Sequence, residues 1–266
     1  MIDNDNQGNY QPGNMQSLEQ QQPDNYGAID GNHSKADQEQ GSIEEERIID
    51  KALRKEFIKK VYGILCAQLF LTAIMCVISC SVPSFAKFQQ THVFLSYFLG
   101  FVSVIILLVL FCSRNVSKTV PTNYILLTIF TLLEGYSVSM ICSVYDKQTV
   151  LLAALFTFGI TLALTIYAFT TKTDFTVFTG VLLVCLICLI FFGIACLIIR
   201  ARILNIMYCA FGVLIFGIYI VCDTQLLIGN KSKNIEMDEY IFGAVNLYLD
   251  IINIFIYILS LLGDRR

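Results

Sequence analysis

The pattern of apolar and polar positions divides the chain at about residue 60. Before that point aliphatic residues are few. Beyond it come seven apolar stretches, at about 61–82, 93–112, 122–144, 149–170, 176–199, 203–228 and 241–262. Each has about 20 residues or more, enough at 1.5 Å per residue to cross a hydrocarbon core of about 30 Å. The connections are short and polar: "PSFAKFQQT", "SRNVSKTVP", "YDKQ", "TKTD", "IRARI" and "GNKSKNIEMDEY". So little connecting chain leaves no room for a soluble catalytic domain, and no internal repeat organises it. The pattern predicts an all-α integral membrane protein, a bundle of seven transmembrane helices over 61–266.

The first 46 residues are rich in Gln, Asn, Asp and Gly. They hold ten acidic side chains against one base, Lys35. Such a segment buries too little apolar area to offset its ordering entropy, which predicts a disordered acidic tail over 1–46. A basic juxtamembrane segment, 47–60, follows. No charged region followed by an apolar core marks a cleavable signal peptide at the N-terminus, so the first span is expected to act as the targeting signal. Composition agrees with the pattern: 56% of the 266 residues are hydrophobic and only 15% are charged. Soluble domains carry about 25% charged residues, so the expected surroundings are a lipid bilayer. With no Trp in the chain, Tyr and Phe must form any interfacial belt. No nucleic-acid partner, cofactor or enzymatic activity is expected.

Arg47, Lys51, Arg54, Lys55, Lys59 and Lys60 precede the first span, which by the positive-inside rule places the N-terminus in the cytosol. The later loops hardly vote. Arg114, Lys118, Lys172, Lys231 and Lys233 fall on the same side, and Lys87, Lys147, Arg200 and Arg202 on the other. Seven crossings would carry Asp264, Arg265 and Arg266 to the far side, whereas a re-entrant last segment would return them, and the sequence leaves both open. Three Asn-x-Ser sequons, at Asn32, Asn115 and Asn230, all fall on the expected cytosolic side, where they would stay unglycosylated.

Most of the ten cysteines lie inside apolar runs. Cys185 and Cys188 have CxxC spacing but no nearby His or charge, so packing explains them better than redox or metal chemistry. The carboxylates are more telling. Glu134, Asp223 and Asp250 lie well inside spans, with no Lys, Arg or His beside them. A central Asp costs about 2.5–3.5 kcal/mol on insertion scales, so such residues usually face the bundle interior or a wet path. The plain alternative is a protonated side chain hydrogen-bonded between helices, and for Glu134 that reading is about as good. Asp223 and Asp250 lie at matching depths on antiparallel neighbours joined by a short loop, so they can meet. Two touching carboxylates cannot cheaply both ionise, and they share a proton. Losing it sets two like charges against each other, which makes the pair a pH-operated latch. Asn246, Asp250 and Asn253 share one helix face at i, i+4 and i+7. With Glu134, Asn246 and Asn253 belong to a candidate ion pathway of hard oxygen and carboxamide groups. That chemistry favours a cation, and a divalent one if both carboxylates ionise.

These residues carry a family resemblance. "FIKKVYGILCAQLFLTA", "LLEGYSVSM", "TKTDFT", "CDTQLLIG" and "AVNLYLDIINIFIYILSLLG" make the stretch from Arg54 to Gly263 similar to the transmembrane Bax inhibitor motif family and, within it, to the lifeguard branch. The resemblance implies a seven-helix protein of endoplasmic reticulum or Golgi membranes, a pH-sensitive calcium leak, and suppression of cell death alongside cell-death regulatory membrane proteins. It also implies that Asp223 and Asp250 are the family's paired aspartates, pH sensor and gate of the calcium path and transient ligands of calcium, and Glu134 its third-span Glu. Two departures stand out. The second span lacks the Arg that some members latch onto the sixth-span aspartate, and Cys222 replaces the usual Tyr, with only a packing effect expected.

The leading expectation is therefore a passive, proton-regulated calcium leak. One alternative is a membrane-embedded interaction protein that suppresses cell death without conducting. A lesser one is an intramembrane aspartyl protease, which would need Gly-x-Gly-Asp and Pro-Ala-Leu motifs; here Tyr248-Leu249 precedes Asp250. Nothing supports a receptor.

Overall fold

The computed structural model of the chain describes residues 27–113, 118–229 and 235–263, with side chains from Ile43 onward. The helices are α1 (Gly27–Ser81), α2 (Pro83–Thr91), α3 (Val93–Cys112), α4 (Thr122–Ser143), α5 (Lys147–Thr170), α6 (Thr179–Ile199), α7 (Arg202–Ile228) and α8 (Tyr240–Leu262). A single 3-10 turn, Thr176–Phe178, precedes α6. There is no strand among the described residues. Every helix but α2 is long and apolar enough to cross a membrane, which makes seven spans.

Among the described residues, those up to Asp50 form one unit and those from Lys51 onward another. Of the segment read as a disordered tail, residues 1–26 lie outside the described residues, whereas from Gly27 the chain is helical. Low hydrophobicity argues against a packed core, not against a helix. Between Ser34 and Lys60 there is no proline and only Gly41 as a breaker, while Glu, Gln, Lys, Arg and Ala, all strong helix formers, predominate. The side chains from Ile43 to Asp50 are exposed. The sequons at Asn32, Asn115 and Asn230, together with Arg114, Lys231, Lys233 and Asp264–Arg266, fall outside the residues whose side chains are described.

In the membrane unit, α8 is the central post. More than half of its apolar window is buried, against 11–39% for the other six spans. It packs against α7, α5 and α4, and α1 closes the fourth side through Val61, which borders Gly243, and Thr72, which bonds Tyr248. The outer helices follow from this: α3 lies on α4, and α6 on α7. The buried stripe of α1 is Phe57, Val61, Leu65, Gln68, Thr72, Cys76 and Ser79, a succession of three- and four-residue steps that keeps one face inward. Cys76 brings its sulfur within 3.7 Å of that of Cys142 on α4, and all ten cysteines are free thiols.

The two ends of the bundle are tied differently. At the α8 N-terminal end, Gly229 finishes α7 with φ 74°, a left-handed value that favours glycine. The Arg54 guanidinium packs where a Gly229 side chain would stand, and its Nη1 donates to the Ile235 carbonyl at 2.7 Å. Lys118 reaches the same loop, 2.7 Å from Asp238 and 3.1 Å from Glu236. At the other end, Gly263 lies against Tyr145 and Thr149 of the α4–α5 corner. Helix α8 therefore runs the length of the bundle. Helix α2, read from sequence only as a connection, starts with proline at its first turn and is fastened by its glutamines. Gln89 accepts from Ser79 and donates to Ser139, and Gln90 donates to the Ser143 carbonyl.

Candidate functional site

The last turns of α7 are buried almost without interruption from Ile220 to Leu227, because α8 covers one side and the α5–α6 connection another. Asp223 sits in this stretch with 8% of its surface exposed, and Asp250 at the middle of α8 with 5%. Their carboxyl groups lie close enough to hydrogen-bond to one another. An ionised carboxylate only accepts, so a bond between them requires a proton on one of the two. Asp250 Oδ2 is buried without a hydrogen-bond partner, and neither aspartate belongs to an ion pair among the described residues. A buried oxygen left so is a place for a proton, a water or a cation.

Few other titratable groups face the pair. Tyr219 and Cys222 lie beside it on α7, Cys185 of α6 borders Tyr219, and Asp174 of the α5–α6 connection borders Cys222. That connection is held rigidly. Gln225, fully buried, accepts from the Phe175 amide at 2.8 Å and donates to the Thr173 carbonyl at 2.9 Å. Asp174 accepts from the Thr176 amide and hydroxyl, capping the 3-10 turn. Cys222 contributes as well, its thiol donating to the Phe175 carbonyl at 3.1 Å. Its role is thus more than the packing expected from sequence.

The other expected site residues divide. Asn246 and Asn253 lie about one turn to either side of Asp250, both half-buried, and Asn253 donates its amide to the Leu249 carbonyl of its own helix. Glu134 is not brought to the pair. It stands in the α3–α4 seam, accepting from Ser103 at 2.7 Å, with Tyr248 as its titratable neighbour.

Sequence reasoning missed a ladder of uncharged polar groups joining α1, α4 and α8. Asn123 donates to Tyr240, Gln68 donates to Thr131, and the hydroxyls of Thr72 and Tyr248 meet at 2.9 Å. Above these, Ser79, Gln89 and Ser139 form a chain. The signal was the regular spacing of Gln68, Thr72 and Ser79 within an apolar stretch, which places them on one face.

Fold and site together define a multi-pass α-helical membrane protein built around a buried carboxylate pair on its last two spans. Residues 54–266 match the family model described as "Inhibitor of apoptosis-promoting Bax1", and the chain belongs to this family. It is 36% identical over 221 residues to "Protein lifeguard 3" of Homo sapiens, covering 82% of this chain and 71% of that protein. The mouse (Mus musculus) "Protein lifeguard 3" is 35% identical over 81% of this chain and 71% of its own length. A third relative, "Bax inhibitor 1" of Schizosaccharomyces pombe, is 34% identical over 80% of this chain and 78% of its own.

Proposed function

We propose that this protein is a passive, proton-regulated cation leak, with calcium as the permeant ion and the Asp223–Asp250 pair as the gate. It would act in the endoplasmic reticulum or Golgi membrane with its N-terminus in the cytosol, and restrain cell death from there. The observation that carries this reading is the contact between the two buried carboxyl groups. The contact exists only while the pair holds a proton. Two bare carboxylates about 4 Å apart repel by roughly 4 kcal/mol at an effective dielectric of 20, enough to change how α7 and α8 pack. Pair and seam therefore respond to pH together, and the unpartnered Asp250 oxygen offers a cation a ligand. The family and the names of the relatives support the cell-death role.

A second reading keeps that role without conduction: a membrane-embedded partner of cell-death proteins. The family description favours it directly, since inhibition requires no pore. Calcium flux into dye-loaded proteoliposomes across pH 6–8 separates the two. The gate requires a pH-dependent leak in the wild type that Asp223→Asn or Asp250→Asn removes or flattens. A correctly folded protein that leaks no more than empty liposomes at any pH would count against the carboxylate gate and favour the interaction reading.

A further inference from the structure

The polar face of α8 continues past Asn253. Asn246, Asp250, Asn253 and Tyr257 follow at i, i+4, i+7 and i+11, so one face carries all four. On α7, Tyr208, Gly212, Phe216, Tyr219 and Asp223 keep the same kind of spacing. The helices run antiparallel, so Tyr208 and Tyr257 lie together beyond the carboxylate pair, toward one end of the seam. Tyr257 is seven residues beyond Asp250, about 10 Å along the axis.

There the two tyrosines meet. Their hydroxyls are 3.2 Å apart and their rings stand edge to face with centroids 5.3 Å apart. Phe192 of α6 meets Tyr208 edge-on at 5.9 Å, and Phe216 lies 5.9 Å from Tyr257. Two glycines make the room. A Cβ on Gly212 would stand 2.6 Å from the Tyr257 ring, and one on Gly193 would stand 3.0 Å from the Tyr208 hydroxyl. Phenylalanines would pack as well at lipid depth without the cost of burying a hydroxyl. The hydroxyls instead hold the rings across the end of the polar face.

We infer that Tyr208 and Tyr257 form a second closure of the leak path, in series with the carboxylate pair. This inference rests on the proposed leak. The titratable groups beside Tyr257 are Tyr208 and Cys209, with no carboxylate or histidine among them. The closure therefore scales the flux and does not set its pH profile.

The test is calcium flux into proteoliposomes across pH 6–8 with Tyr208→Phe, Tyr257→Phe and the double variant. These keep the rings and the packing and remove only the hydroxyl contact. Flux at the pH of greatest wild-type leak should rise roughly fivefold, the shift that loss of one hydrogen bond produces. The pH midpoint should stay where it is, and the double variant should match either single one. Tyr257→Ala, which removes the ring, should raise flux further. A normal pH-dependent leak left unchanged by all four variants, or a moved midpoint, overturns the second closure while sparing the carboxylate gate. If the wild type leaks at no pH, a leak in Tyr257→Ala supports the tyrosine closure and counts against the carboxylate gate. Silence in every variant overturns both.

Discussion

Replacing Gln225 with leucine tests how the connection beside the carboxylate pair is held. The substitution keeps the buried stem and volume close to native and deletes both hydrogen bonds to the α5–α6 connection. The two losses are unequal. Thr173 is exposed, so its carbonyl finds water and forfeits only the net worth of one hydrogen bond, about 0.5–1.5 kcal/mol. Phe175 is half-buried, and its amide, left without an acceptor, costs about 1–3 kcal/mol. Together the connection should open more easily by roughly 2–4 kcal/mol. At tenfold per 1.4 kcal/mol, the Phe175 amide should exchange with solvent about 30- to 700-fold faster through local opening. Hydrogen–deuterium exchange of the detergent-solubilised protein, read on a peptide spanning Thr173–Phe178, measures this directly. Gln225→Glu should fall between, because it keeps an acceptor for Phe175 but opposes the Thr173 carbonyl with another acceptor. Exchange in the leucine variant within about threefold of wild type would refute the assignment, because a lost clamp cannot be that silent.

Two further outcomes are expected. Thr72→Val strands the fully buried Tyr248 hydroxyl and should destabilise the bundle by about 1–3 kcal/mol; Tyr248→Phe should cost less, because Thr72 still donates to the Gln68 carbonyl. Denaturant unfolding in micelles ranks the pair, and the reverse order would contradict the ladder. The hydrogen bonds from Lys118 to Asp238 and Glu236 hold its proton more tightly than usual, so its pKa lies above the ordinary 10.5. A raised lysine stabilises fully below its unfolded value and loses that contribution as pH climbs through the folded one. Wild type and Lys118→Met should therefore differ in thermal stability at neutral pH and converge above about pH 10.5, and added salt should shrink the difference. A gap that persists in strong alkali would place the effect elsewhere.

The spans were legible because a single continuous apolar stretch of about 20 residues satisfies its backbone in lipid only as a helix, so its length fixes its element. The stretch read at 203–228 is α7 at Arg202–Ile228, and the one read at 93–112 is α3 over the same residues. The meeting of Asp223 and Asp250 was legible too, because a charge in lipid is costly and two at one depth on neighbouring helices have few places to go. Amides and hydroxyls raise no such alarm. Gln225, Gln89 and Thr72 cost little in an apolar stretch, and what each grips depends on a chain reversal that spacing does not encode. Glu134 shows the converse: the cost of its charge was visible, but its partner, a single hydroxyl on α3, was not. The helix through residues 27–46 was hidden for another reason, since a polar composition describes what cannot be buried and says little about local backbone preference.

The central position of α8 bears on how the protein is made. Chains emerge from the ribosome N-terminus first, so the helix that the others surround is the last of the seven to reach the bilayer. Until it arrives, α1, α4, α5 and α7 have a vacant centre, and Thr72 and Asn123 lack their α8 partners. The preceding six spans must wait loosely associated, or be chaperoned, before a final insertion completes the assembly. A premature stop that spares nine-tenths of the sequence would then cost the whole architecture, and quality control would meet an open ring of helices instead of a nearly finished protein.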